Sequence, residues 1–217
     1  MRKRYEEQLE SMHVGLIRMG AMCEEAIGCA AQALLEGDAD SQSKTAALEH
    51  EIDMIERDIE QMCVRLLLHQ QPMATDLRHV TAAQRMITDM ERIGDQCNDI
   101  AEISVFMRGS PVKSDVHIAD MAKATRKMVT DSIDSFVKKD LALARSVIAY
   151  DDIVDELFSR IKRELIERLI QDNAHAGECL DLLMIAKYFE RLGDHAVNIA
   201  DWVIYYLTGT REVSVGQ

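Results

Sequence analysis

The stretch Glu91-Arg92-Ile93-Gly94-Asp95 returns 99 positions later as Glu190-Arg191-Leu192-Gly193-Asp194. A period of that length is a whole supersecondary unit, and the residues it keeps are acids as well as the apolar positions that packing demands. Outward from the two copies the halves align without a gap. Asp53 pairs with Asp152, Glu56 with Asp155, Leu66 with Leu165, Ile100 with Ile199 and Ala101 with Ala200, all at the same offset. Further upstream the register changes to 102, pairing Asp38 with Asp140, so the first half carries a three-residue longer connection.

Apolar residues recur at three- and four-residue intervals almost throughout, the mark of amphipathic helices. A first helix is expected from about Tyr5 to Glu36, with Leu9, Met12, Leu16, Met19, Cys23, Ile27 and Leu34 inward. Gly37-Asp38-Ala39-Asp40-Ser41 breaks or bends it. The second is expected from about Ser43 to His69 on Leu48, Ile52, Ile55, Ile59, Met62 and Leu66, and the third to about Met107 after a turn at Pro72, with Thr75 or Asp76 as cap. Gly109-Ser110-Pro111 reads as the linker, since Gly and Pro both oppose helix continuation. The plan then restarts: Met121, Met128, Val129, Ile133 and Phe136 mark helix four, Ile153, Leu157, Ile161 and Leu165 helix five, and helix six runs from roughly Gly177 to Leu207. The predicted fold is all-α, two tandem antiparallel three-helix bundles spanning 1–108 and 109–217, with a short disordered tail after about Gly209.

Composition supports that reading. Only 2 Pro and 10 Gly occur in 217 residues, and the common residues favour helix. With 38 acidic against 25 basic residues the net charge is −13, which repels phosphate backbones and argues against direct nucleic-acid binding. Cations or basic partner surfaces fit instead. The five cysteines are scattered without a CxxC pair, which indicates neither a disulfide framework nor a thiolate zinc site and suits a reducing compartment. The N-terminus leads straight into an amphipathic pattern, so no signal peptide is expected, and no apolar run approaches the roughly 20 residues that span a bilayer.

Helical geometry groups the repeated acids. At about 100° per residue, Glu91, Asp95, Asp99 and Glu102 fall within about 80° of one another, opposite Met86, Met90, Ile93, Cys97 and Ile100. Glu190, Asp194, Asn198 and Asp201 repeat the stripe opposite Ile185, Phe189, Leu192, Ala196 and Ile199. Both stripes are expected on accessible surface. Like charges four apart destabilise a helix by a few tenths of a kcal/mol. Divalent or trivalent cations would offset that, because hard cations want clustered carboxylate oxygens. An ordinary solvated acidic face fits the same spacing. Asp53, Glu56, Asp152 and Asp155 on the preceding helices are possible additional ligands or simply their polar face, and Glu102 and Asp201 would extend the stripes.

The remaining signals are weaker. Gly94 and Gly193 interrupt helices at matched positions, either for close helix contact or to leave room beside the acids. Glu10-Ser11-Met12-His13 is a lone Glu-x-x-His, where a di-metal bundle needs two, and is read as chance. His195 is expected to face solvent or to be a peripheral ligand, with Gln96 in its place in the first repeat, and His69, His79 and His175 to lie near turns as capping or surface residues. Met12, Met19, Met22, Met54, Met62, Met86 and Met90 read as core filling or an adaptable contact surface. No phosphate-binding Gly loop or nucleophile elbow appears, and no catalytic nucleophile is visible.

The doubled Glu-Arg-(Ile/Leu)-Gly-Asp motif, the run Gln71-Pro72-Met73-Ala74-Thr75-Asp76-Leu77-Arg78 and the six-helix plan together resemble the PhoU family of phosphate-transport regulatory proteins, over essentially the whole chain. The resemblance implies a cytoplasmic protein of two PhoU repeats, often a homodimer, that is not an enzyme. It implies negative regulation of phosphate-starvation genes and restraint of phosphate uptake, through the ATPase subunit of the phosphate ABC transporter and the phosphate-sensing histidine kinase. It also implies surface clusters of iron, zinc, magnesium or manganese, whose ligands would here be Glu91, Asp95 and Asp99, and Glu190, Asp194 and Asn198. Asp99 stands where the family pattern has an Asn, so the two sites would differ in charge. A di-metal helical-bundle enzyme and a purely structural interaction module are the competing readings of the residues themselves.

Overall fold

The computed structural model describes residues 2–70, 75–114 and 116–212, with side chains from 6–68, 75–113 and 116–212. Six long helices follow in order: α1 (Arg2–Glu36), α2 (Ala39–Gln70), α3 (Thr75–Ser104), α4 (Ile118–Lys138), α5 (Leu141–Gln171) and α6 (Ala176–Thr208). No strand occurs among the described residues. The architecture is all-α, as expected: α1–α3 and α4–α6 are two antiparallel three-helix bundles in tandem. None of the described helices is long and apolar enough to cross a membrane.

Local chemistry sets the helix ends. Asp38 accepts from the backbone N–H groups of Asp40 and Ser41, at 3.3 and 3.0 Å, so α2 begins at Ala39, earlier than the apolar pattern alone suggests. Asp140 does the same for α5, accepting from Ala142 and Leu143 at 2.9 and 3.0 Å. The residue in cap position before α3, like Pro72, lies outside the described residues. Beyond α3 the chain tightens into a 3₁₀ turn, Val105–Met107, and the linker makes another at Val112–Ser114. That linker is anchored. Met107 and Val112 are fully buried, Lys113 Nζ donates to the Leu34 carbonyl at the end of α1 (2.9 Å), and His117 N–H donates to Glu164 on α5 (3.1 Å).

Burial follows the expected stripes on α1, α2, α3, α4 and α6, with Leu9 and Met62 partly buried at their margins. On α5 Ile161 and Leu165 are buried and Leu157 partly so, as expected, but Ile153 is 41% exposed and its neighbour Val154, one heptad from both Val147 and Ile161, faces the core instead. Met54 is likewise on the surface, whereas Met12, Met19, Met22, Met86 and Met90 fill the core. A single apolar cluster runs through both bundles. It is continuous because α3 packs on α6 as extensively as on its own α2, and α1 also meets α4. At that second crossing a Cβ on Gly20 would stand 2.7 Å from Ile133 Cγ2, so the helices approach at a distance that only glycine permits. The tail begins ordered. Arg211 and Glu212 are held against Asp201, while 213–217 lie outside the described residues.

Candidate functional site

Two acidic grooves result from the helix pairs α2/α3 and α5/α6. In the first, Glu49 and Asp53 on α2 meet Asp95 on α3, each offering one carboxylate oxygen within 4.8 Å of the others. All three are half-buried, so the acids line a seam and do not project straight outward. Burial, then the Asp53 and Asp95 carboxylates, holds the Glu49 carboxyl above its usual range. Farther along the groove, burial and then Asp95 raise Glu91, while burial, Glu60 and Asp53 raise Glu56. Arg92 answers part of this charge, reaching Asp95 at 3.2 Å and Glu91 at 3.4 Å, and Arg57 reaches Asp53 at 3.4 Å.

The second groove is built differently. The acid raised furthest there is Asp151, pushed up to about 6 by burial and then by Asp155, Asp194, Asp152 and Glu190. Burial and Glu190 likewise raise Asp155 and Asp194, and Lys187, ion-paired with Glu190, opposes both. In the first repeat the positions of Asp151 and Lys187 are Ile52 and Thr88, and the second repeat has Ile148 where the first has Glu49. The glycines reflect the same divergence. A Cβ on Gly94 would meet Ile52 at 3.2 Å, so close packing explains it, whereas at Gly193 the nearest atom is Asp151 Oδ1 at 3.4 Å.

Several residues grouped by helical angle are not together in space. Asp99 and Asn198 turn away from the grooves into the α3/α6 seam. Asp99 bonds Tyr188, and Asn198 Nδ2 donates to Asp89 Oδ1 at 3.2 Å. The two contacts are related by the internal repeat, since Asp89 and Tyr188 occupy equivalent positions. His195, expected on the surface, is half-buried in the same seam. Its Nδ1 lies 2.9 Å from Asp89 Oδ1 and its Nε2 3.3 Å from the Gln96 side-chain amide. Gln96 and His195, equivalents in the repeat, thus touch each other across the pseudo-twofold. Asp201 is also corrected: it is fully buried, bound by the Arg211 guanidinium and accepting from Glu212 N–H at 2.8 Å. Glu102 stays exposed and accepts from Asn98 at 3.1 Å.

Among the described residues, no histidine joins the Glu49–Asp53–Asp95 cluster. His13, with Glu10 the lone Glu-x-x-His, sits among His79, Phe136 and Tyr206. His175 pairs with Glu178 at 2.8 Å at the start of α6, and the His69 side chain lies outside the described residues. Reading the acids missed Glu49 and Asp151. Glu49 lies one turn before Asp53, and Asp151 is an acid where the aligned repeat has the core residue Ile52. Both signals are visible in the sequence.

The PhoU domain profile matches residues 16–104 and 118–203, once in each bundle. The phosphate-specific transport system accessory protein PhoU homologue of Pseudomonas aeruginosa is 32% identical over 99% of this chain and 89% of its own length. Those of Clostridium acetobutylicum and Synechocystis are 34% and 35% identical, over 96% and 97% of this chain and 96% and 94% of their own. The crystal structure of PhoU from Pseudomonas aeruginosa superposes with a TM-score of 0.91 at 31% identity, covering 95% of this chain and all of that one. The regulatory protein PhoU from Streptococcus pneumoniae shares the fold, with a TM-score of 0.87 at 24% identity over 97% of this chain and all of that one. With both bundles matched and relatives aligned nearly end to end, this chain belongs to the PhoU family.

Proposed function

We propose that the protein is a cytoplasmic regulator of phosphate uptake and of phosphate-starvation signalling. It acts as a metal-binding adaptor between the ATPase of the phosphate ABC transporter and the phosphate-sensing histidine kinase, and restrains the phosphate regulon. It works by binding, not catalysis, as two PhoU repeats, 1–108 and 109–217, assembled into a homodimer. The names of its relatives support the phosphate role, and the carboxylate triad Glu49–Asp53–Asp95 supports the metal role.

The triad fits a cation. Oxygens around one ion, each at about 2.1–2.5 Å, stand no more than about 5 Å apart, and the three carboxylates already meet that limit. The donor set is all oxygen, which suits magnesium, manganese or iron better than zinc. Glu49, Asp53 and Asp95 would hold the ion, with Glu91 and Glu56 behind them, and it would supply positive charge where burial now raises the carboxyls. In the second groove Asp151, Asp155, Glu190 and Asp194 would be the donors, with Lys187 competing. The anionic surface would set partner choice and on-rate through complementary basic patches.

The test is metal analysis of chelator-treated protein reloaded with each candidate ion, beside the variant Glu49→Gln/Asp53→Asn/Asp95→Asn, with capture of the transporter ATPase and the kinase. Bound metal should fall in the variant and capture should follow it. Unchanged metal content would remove the triad from the site, and undiminished capture would remove metal from the adaptor role.

A further inference from the structure

The run Gln71–Arg78 ends on a residue that neither acidic groove uses. Arg78 lies in the first turn of α3, where α1 and the C-termini of α4 and α6 converge. Four rings pack there. His79 stacks on Tyr206 at 4.1 Å between centroids, His13 lies 5.9 Å from Tyr206 and 5.4 Å from Phe136, and Tyr206 OH is 3.2 Å from His13 Nε2. Arg78 reaches over the end of α6. A Cβ at residue 209 would stand 2.6 Å from its Nη1, so Gly209, at φ +89°, makes room for the guanidinium. Its Nε is buried without a hydrogen-bond partner among the described residues, which is costly for a charged donor.

A second cation completes the setting. Lys139, at the left-handed C-cap of α4, is exposed. Burial first, and then nearby cations, depress both histidines below their ordinary value, His79 to about 4. Asp76 acts on His79 and Glu10 on His13 in the opposite sense. At neutral pH the junction therefore offers a guanidinium fork, an ammonium and neutral imidazole and phenol donors, in a chain whose net charge is −13.

We propose that this junction binds a tetrahedral oxyanion of the inorganic phosphate kind, through the Arg78 guanidinium, the Lys139 ammonium and N–H donors of His13 and His79. A guanidinium presents paired donors that match such an oxyanion, and the two Nη groups, which unlike Nε are not sealed from solvent, are the ones that would meet it. The site goes beyond the metal-dependent adaptor role and does not depend on it, because no groove carboxylate takes part.

The experiment titrates the chelator-treated full chain with inorganic phosphate at constant ionic strength, with sulfate, acetate and chloride as comparisons. Calorimetry and the imidazole resonances of His13 and His79 are the readouts. Phosphate should saturate and shift both imidazoles. Arg78→Gln should weaken binding about tenfold or more, and Lys139→Gln, an exposed change, should weaken it less. Arg163→Gln, on the outer face of α5, should bind as the wild type does. Equal responses to phosphate and sulfate support the site as a general oxyanion receptor. Non-saturating phosphate, an equal response to acetate and chloride, or full binding by both Arg78→Gln and Lys139→Gln would overturn it. Because metal is absent throughout, failure here leaves the triad untouched, and loss of metal binding by the triad variant leaves this site untouched.

Discussion

Replacing Asp151 with asparagine should stabilise the metal-free protein above pH 6. The Asp151 carboxyl is held at about 6 in the fold against an ordinary 3.8, by burial first and then by the surrounding acids. The folded state therefore binds this proton more tightly than the unfolded chain, so stability attributable to Asp151 falls as pH rises from about 4 through 6. A shift of that size corresponds to about 3 kcal/mol at full value. Asp151 retains some solvent contact, and screening reduces this to about 1–2 kcal/mol. Asparagine removes the charge and keeps the shape. Urea unfolding in chelator at pH 7.5 should give that gain, or about 2–8 °C in Tm for a chain of this size, and the two proteins should converge near pH 4. Divalent metal should narrow the gap, because the wild type keeps a donor that the variant lacks. A variant no more stable than the wild type at pH 7.5, or a gap of equal size at pH 4, would refute the account of Asp151 as a buried charge under repulsion.

Three further outcomes follow from other contacts. His79 is depressed to about 4, so it supplies stability at neutral pH that is lost as pH falls from about 6.5 through 4; His79→Gln should flatten that part of the urea-midpoint profile by about 1–2 kcal/mol, and an unchanged profile would contradict its burial among cations. Gly193→Ala should stabilise by about 0.5–1 kcal/mol through helix propensity, whereas Gly94→Ala should gain less or nothing, because its Cβ crowds Ile52 at 3.2 Å; equal gains in thermal unfolding would argue against that packing. Asp89→Ala strips the acceptor shared by His195 and Asn198 and should cost about 1–3 kcal/mol, with hydrogen exchange rising across the α3/α6 seam; a change confined to the α2/α3 groove would misplace Asp89.

Six helices and their order were legible in the sequence because a 3.6-residue period and a 99-residue repeat are both local or linear patterns. What a linear pattern cannot carry is which neighbour a polar residue meets. Asp99 and Asn198 share a helical face with Glu91 and Glu190, yet the packing of α3 on α6 draws them to Tyr188 and Asp89. His195 looked exposed for the same reason: its angle lies outside its own bundle's core, but that face is where the other bundle sits. Ile153 was misplaced because α5 follows a heptad through Val147, Val154 and Ile161, and adjacent apolar residues leave the phase ambiguous. Asp151 is the instructive case. Aligning it with Ile52 reveals an acid in a core position, a departure that spacing along α5 alone does not show. Equivalent positions therefore diverge where the repeats must do different things. In the first groove Glu49, Asp53 and Asp95 converge; in the second, the half-buried Asp151 sits among other acids while Lys187 pairs with Glu190 and offsets Asp155 and Asp194. If charge alone governed them, the grooves would load alike. Because Lys187 must be displaced from Glu190 before the second can fill, the first groove should take metal at lower concentration, and Lys187→Thr, which copies Thr88, should bring the two occupancies together in a metal titration. Unequal loading that survives the exchange would place the cause in Glu49 and Ile148 instead.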